Sequence, residues 1–368
     1  MLHTLLPTLV RSLEHGDPVI RAVVCAVRGS APAGVGSSML FFPDGRTLGS
    51  VGGGQVEEAT RLAARRLVDL DRAEAGASPA QGRAQLLHFD LDQDAAAAHG
   101  MICGGSVGIL VETIPAGPEN LSLFQAVLER LESGQPCALV TECTGLPETE
   151  TCMRRLVGPS GEVLAGPDWP QGTAPLPQGL PERPGLLEGT APFLFVEPVR
   201  PLPGLFIFGA GHVGQAVARL VAGLEFSLTV VDDRPEYADP ALLPRAAAVL
   251  VEHPALACGH LDIGPEDFLL ILTRGHALDQ EVLAQALATP ARFIGMIGSR
   301  RKREAVFQIL TDQGFGPADL SRVRCPVGLD IGAKTIEEIA VSIAAQLVAE
   351  LHKPRQRPAP GEYGRSPD

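Results

Sequence analysis

Residues Leu205 to Arg234 read LFIFGAGHVGQAVARLVAGLEFSLTVVDDR, and this stretch decides the architecture of the C-terminal half. Leu205 to Phe208 is a short apolar run suited to a strand buried on both faces. Gly209, Gly211 and Gly214 follow at Gly-x-Gly-x-x-Gly spacing. The first serves a tight strand-to-helix turn, the second lets backbone approach a phosphate, and the third lets the helix pack on the sheet. Val213, Val217 and Leu220 form an apolar stripe on that helix, whose N-terminal N–H groups and positive dipole end face the crevice where an anion binds. Leu228 to Val231 supplies the second strand, ending at Asp232 and Asp233. A carboxylate there accepts a hydrogen bond from a ribose 2′-hydroxyl and repels a 2′-phosphate, which disfavours an NADP-type ligand. The expectation is an α/β fold with a C-terminal Rossmann-type doubly wound parallel sheet. Occupancy by NAD or another nucleotide stays open, because this fold hosts many ligands.

The alternation continues downstream. Ala246 to Val251, Asp267 to Thr273 and Arg292 to Ile297 read as strands, and Leu278 to Ala288 and Thr335 to Leu351 as helices. GSRRKREAVFQIL from Gly298 opens another helix with Arg300, Arg301, Lys302 and Arg303 in its first turn. Cations there oppose the helix dipole, so an anion or acidic partner would be stabilising, and a solvated basic face is the alternative. His212, at the start of the fingerprint helix, is read either as an anion contact or as a cap for backbone groups. His276, after the strand ending at Thr273, is read either as a ligand contact or as an ordinary loop histidine.

At 368 residues the chain is long enough for two domains, and its 45% hydrophobic content is ordinary for a globular protein. A formal charge of -13 argues against general affinity for nucleic acid or anionic lipid. No apolar stretch approaches the roughly 20 residues that span a bilayer. MLHTLLPTLVRSLEHGD at the N-terminus reads as a capping helix, not a signal peptide. Cys25, Cys103, Cys137, Cys143, Cys152, Cys258 and Cys325 show no Cys-x-x-Cys pair, which points to reduced, mostly packed thiols in the cytoplasm.

The expected domains are residues 1–200 and 201–353, followed by a disordered tail over 354–368. The first is read as mixed α+β. It includes a Pro/Gly-rich excursion or linker over 158–192, after which Phe193 to Val199 returns as a strand.

In the N-terminal half, Val19 to Val27 is strand-like, and Pro43 to Arg46 reads as a hairpin turn. Gly52, Gly53 and Gly54 precede a helix beginning near Gln55. They offer N–H groups to a phosphate or oxyanion, or serve as a flexible turn. MICGGSVGILVETI places Cys103 immediately before Gly104, Gly105 and a strand. Such a thiol is sterically open, with nearby N–H groups to favour a thiolate, although a packed cysteine has the same local pattern.

Taken in order, GSAPAGVGSSMLFFPDGRTLGSVGGGQVE, MICGGSVGILVE, LFIFGAGHVG with VVDDRPE, TRGHALDQEVL, FIGMIGSRRKR and PVGLDIGAKTIEEIAVSI resemble the xanthine dehydrogenase accessory proteins of the XdhC/CoxI type. The resemblance runs over nearly the whole chain. It implies a cytoplasmic maturation factor that binds the molybdenum cofactor (molybdopterin), protects it during sulfuration and delivers it to apo xanthine dehydrogenase or a related molybdenum hydroxylase. It also implies a cysteine desulfurase and a molybdenum cofactor nucleotidyltransferase as partners. By position, Cys103 becomes the thiol that contacts the cofactor metal, with Gly104 and Gly105 beside it. The chain departs from the family pattern after Ser30, where Ala33 and Ser38 stand in place of basic residues.

That implication agrees with the residue chemistry. A molybdopterin carries a phosphate, for which glycine N–H groups are suited, and a soft dithiolene-bound metal that accepts thiolate. Two rival readings remain: an NAD-dependent oxidoreductase, for which no convincing proton donor set is visible, and a nucleotide-sensing regulatory protein. A homodimer is consistent with cofactor carriers that build sites between protomers.

Overall fold

The computed structural model describes residues 2–73, 81–90, 105–144, 150–169, 179–187 and 193–353. The chain divides into two compact units, Met1–Pro201 and Leu202–Asp368.

The first unit is built on an antiparallel sheet in the order β3-β2-β1-β5-β4-β7-β6-β10-β9, with β8 beside β7. The strands are β1 (Val19–Gly29), β2 (Ser38–Phe41), β3 (Thr47–Gly49), β4 (Gly82–Asp90), β5 (Gly105–Ile114), β6 (Cys137–Cys143), β7 (Glu150–Val157), β8 (Val163–Ala165), β9 (Gly185–Leu186) and β10 (Phe193–Val199). The side chains alternate as a strand's period of two requires. Ile20, Ala22 and Val24 of β1, with Val107, Ile109 and Val111 of β5, face α2 (Gly54–Ala73) and pack on Val56, Ala63, Ala64 and Leu67. Helices α1 (Leu2–Glu14) and α3 (Pro118–Glu132) join Ile114, Leu139 and Leu156 in another layer.

The inward positions are Arg21, Val23 and Cys25 of β1, Leu110 and Glu112 of β5, and Cys152 and Arg154 of β7. Although β1 and β10 stand five places apart in the sheet, Arg21 Nη2 pairs with Glu197 Oε1. That contact requires the sheet to curl back on itself, leaving a narrow interior. The Pro/Gly-rich stretch read as a linker is in part sheet. Strands β8 and β9 fall within it, because even two or three extended residues add ladder hydrogen bonds at an edge.

The second unit carries β11 (Gly204–Phe208), β12 (Ser227–Asp232), β13 (Ala248–Val251), β14 (Phe268–Ile271), β15 (Phe293–Met296) and β16 (Val323–Arg324). All neighbours are parallel, in the order β13-β12-β11-β14-β15-β16. This is the doubly wound Rossmann order, and it reverses direction between β11 and β14. One face is covered by α4 (His212–Val221) and α9 (Ile336–Leu351) through Ala216, Val217, Val221, Ala340, Ile343 and Leu347. The other is covered by α5 (Pro254–His260), α6 (His276–Leu287) and α7 (Arg300–Asp312) through Ala257, Val282, Leu283, Val306 and Leu310. A short α8 (Pro317–Ser321) precedes β16.

Several boundaries differ from the sequence reading, among them those of β14, α6 and α9. Asp267 to Thr273 is strand only over Phe268–Ile271, since Asp267 turns to accept hydrogen bonds from Gly204 N–H (2.6 Å) and Gly264 N–H (2.7 Å). Helix α6 begins at His276, two residues before the expected Leu278, so that histidine is helical rather than in a loop. Thr335 lies outside α9 as its N-cap, in a capping box with Glu338. Among the described residues, no helix is long and apolar enough to cross a membrane.

Candidate functional site

At one end of the first unit's sheet, three glycine-bearing elements converge. Gly29, which ends β1, pairs with Gly105, which begins β5. A side chain at Gly105 would strike the Arg28 and Ser30 carbonyl oxygens, so only glycine allows this approach. The loop after Ser30 then runs past the triple glycine: a methyl on Gly52 would lie 2.8 Å from Pro32 Cγ and 3.6 Å from Ala33 Cβ. Gly52, Gly53 and Gly54 all have positive φ, at 122°, 73° and 55°. Gly105 and Gly52 therefore lie against the same loop, with Gly53 and Gly54 following Gly52 in the chain. Cys103 and Gly104, immediately upstream of Gly105, lie outside the described residues, as does the 354–368 tail.

The glycine N–H groups already have an anion of their own. Glu57 Oε1 accepts from Gly53 N–H at 3.0 Å, Ser50 Oγ at 2.6 Å and Val51 N–H at 3.4 Å, and Gly52 N–H donates to Ser50 Oγ at 3.3 Å. The Glu57 carboxylate thus sits over the start of α2, where the helix dipole favours it. A phosphate bound at this turn would take the place that Glu57 holds.

In the second unit, Gly209, Gly211, His212, Gly214 and Asp232 cluster at the carboxyl ends of β11 and β12. Gly209 has φ 112° and lies against the Leu272 carbonyl, while Gly214 lies against the Gly209 carbonyl, so neither tolerates a side chain. Gly211 is different. A methyl there would meet only Arg234 Nη2, at 4.0 Å, and Gly211 supplies no side-chain cap to α4. The space beside Gly211 at the start of α4 is thus open and borders a guanidinium, a setting that fits a phosphate.

Asp232 is turned toward its own chain. It accepts from Ala210 N–H at 2.7 Å and is gripped by Arg234 through Nε at 2.8 Å and Nη2 at 2.9 Å. Burial alone would raise its carboxyl; the Arg234 and backbone hydrogen bonds outweigh that and hold it below the usual range. To bind a ribose, Asp232 must release part of this grip. Arg234 also stacks on Tyr237 at 3.8 Å from the ring centroid, and exposed His212 meets the same ring edge-on at 6.3 Å.

The basic run on α7 divides. Arg300 and Arg301 are exposed at the helix start, two strands along the sheet from β11. Lys302 finds an acidic partner, Asp279, which is fully buried and also accepts from Thr273 Oγ1 at 2.6 Å. Burial raises the Asp279 carboxyl above its ordinary value despite Lys302 and Thr273. Helix α7 itself starts at an N-cap, Ser299, that accepts from Lys302 N–H.

Sequence reasoning missed the charged interior of the first unit. Arg21 and Glu112 are both fully buried. Glu112 accepts from Arg154 Nε at 2.9 Å and faces Arg21 Nη1 at 3.4 Å; Arg21 also meets Glu197 and, at 3.2 Å, Ser38 Oγ. Arg21 Nε, Arg154 Nη1 and Glu197 Oε2 are buried without a hydrogen-bond partner among the described residues. The available signal was a charge at an inward position of each apolar run: VIRAVV, LVETI, MRRLV and FVEPV.

Two family models match the chain: the XdhC and CoxI family over residues 12–90, and the XdhC Rossmann domain over residues 205–347. The chain belongs to the XdhC and CoxI family. It is similar to a probable xanthine dehydrogenase subunit from Bacillus subtilis, 27% identical over 94% of this chain and 96% of that protein. It is also similar to the molybdenum cofactor insertion chaperone PaoD of Escherichia coli, 24% identical over 95% of this chain and 89% of that one. A crystal structure described as a xanthine dehydrogenase from Bacillus halodurans shares the fold. Its TM-score is 0.78 at 24% identity, covering 96% of this chain and 98% of the other.

Proposed function

We propose that this protein binds the molybdenum cofactor as cargo, shields it while sulfur is installed, and delivers it to an apo molybdenum hydroxylase of the xanthine dehydrogenase type. The observation that carries this reading is the meeting of Gly105, the loop after Ser30 and the Gly52 to Gly54 turn at one sheet end, with Cys103 and Gly104 next in sequence. The relative PaoD, named as a cofactor insertion chaperone, supports it. In this proposal Cys103 supplies a thiolate to the soft metal of the cargo, and backbone N–H groups receive its phosphate once Glu57 yields. The Rossmann-type crevice at Gly211 receives a phosphate of a separate ligand, a nucleotide such as NAD.

The test is anaerobic loading of the full chain with free cofactor, followed by molybdenum analysis and by pterin fluorescence after oxidation. Retention by the wild-type chain, and at least a tenfold loss in Cys103→Ala with its melting curve unchanged, is the expected result. Equal molybdenum in the two proteins rejects the role of Cys103; none in either rejects the cargo. Nicotinamide absorbance in the released small molecules would instead support an oxidoreductase or a nucleotide sensor.

A further inference from the structure

The inward face of the first unit's sheet gathers three cysteines, Cys25, Cys143 and Cys152, in one buried cluster with Leu110 and Phe195. Cys143 and Cys152 stand directly opposite each other across β6 and β7. The next pair outward is joined by Thr144 N–H donating to the Thr151 carbonyl at 3.4 Å. That bond makes Thr144 and Thr151 the hydrogen-bonded pair, and so Cys143 and Cys152 the non-hydrogen-bonded pair. In such pairs the Cα atoms are about 4.5 Å apart and the side chains approach most closely. This separation falls within the roughly 4.4–6.8 Å that a disulfide spans. Cys25 is engaged elsewhere, its Sγ donating to the Gly108 carbonyl at 3.3 Å.

The surroundings make the two sulfurs unlike. Cys152 Sγ lies 3.2 Å from Arg154 Nη2 and donates to Glu112 Oε2 at 3.7 Å. A cation is thus at hand for charge developing on sulfur, and a carboxylate for its proton. The Cys143 thiol is pushed far above its ordinary value by its contact with Cys152 and by burial, and it stays protonated. Both residues are almost fully buried, at 1% and 0% exposure. Such burial excludes a bulky disulfide, so the oxidant the pair calls for is a small one.

We propose that Cys143 and Cys152 are a two-electron oxidation site that closes into a cross-strand disulfide on meeting hydrogen peroxide. Glu112 accepts the Cys152 thiol proton as the sulfur attacks one peroxide oxygen. The O–O bond breaks, and the departing oxygen leaves as water after taking the proton from Glu112. Cys152 is then a sulfenic acid. Cys143 attacks its sulfur, the S–O bond breaks, and hydroxide leaves as water with the Cys143 proton. Two thiols and one peroxide become one disulfide and two waters. A thiol reductant reverses the change.

The test treats the folded full chain with hydrogen peroxide, alkylates remaining thiols after denaturation and maps the peptides. The expected product is a Cys143–Cys152 cross-link, with the loss of two hydrogen atoms from the intact mass, reversed by dithiothreitol and retained in Cys25→Ala. Cys143→Ala should instead accumulate a dimedone-reactive sulfenic acid at Cys152. Recovery of both cysteines as free thiols, links to other cysteines, or a cross-link that forms only in urea would each overturn the assignment. The wild-type map decides the matter even if a variant fails to fold.

Discussion

Replacing Glu112 by glutamine keeps the side chain's shape and removes one buried charge from the interior of the first unit. At an effective dielectric of ~20, a carboxylate 2.7 Å from one guanidinium and 3.4 Å from another is attracted by roughly 6 and 5 kcal/mol. Desolvation of the ions offsets most of this in the intact network, so the gross attraction is not the expected loss. What matters is the residue left behind. Arg21 would keep Glu197, while Arg154 would lose its carboxylate partner, leaving an uncompensated cation in a buried interior. Breaking a buried pair in this way costs about 3–5 kcal/mol. For a unit of this size that corresponds to a fall in Tm of about 6–20 °C. The chain's single tryptophan, Trp169, stacks on Arg155 at 4.3 Å within this unit, so its emission in a urea titration reports the first unit selectively. The double variant Glu112→Gln with Arg154→Met should recover part of the loss, because the orphaned cation goes too. A single-variant loss below about 1 kcal/mol, or a double variant worse than the sum of its parts, would refute the reasoning.

In the second unit, Gly214→Ala should cost about 1–3 kcal/mol, since its methyl overlaps the Gly209 carbonyl, whereas Gly211→Ala should cost under about 0.5 kcal/mol. Thermal melts followed by circular dichroism compare the two. The depressed Asp232 carboxyl contributes stability that is present above about pH 4 and is lost as pH falls through its folded value. Arg234→Gln should therefore flatten the acid limb of stability measured by denaturant titration from about pH 6 down to about pH 2. An unchanged slope would show that Ala210 N–H alone sustains the shift.

The second unit was legible because its local and long-range demands coincide. Gly209, Gly214 and the apolar run before them are each required by the turn they form, and β12 ends at the acid the spacing anticipates. What the sequence concealed was the use of Asp232: its hydrogen bonds to Ala210 and Arg234 depend on loop geometry that no spacing encodes. The first unit was less legible for a different reason. A charged residue in an apolar strand ordinarily marks a solvent-facing position, and nothing in VIRAVV says that the sheet curls until Arg21 meets Glu197, 176 residues away. The Gly52 to Gly54 turn was found, but its occupation by Glu57 follows from the first turn of α2 and had no place in the glycine pattern.

The pairing of Arg21 with Glu197 bears on how the polypeptide reaches its native state during synthesis. Arg21 is made almost first and its counter-ion almost last among the strands of its unit, on β10. Sliding any of these strands by one position would turn its charge outward and an apolar neighbour inward, so the ion pairs act as a lock on alignment. Until residue 197 has left the ribosome, the growing chain can meet the Arg21 guanidinium only with Glu112, which Arg154 also engages. Completion of this charged interior therefore waits for β10, the last strand of the unit to be made.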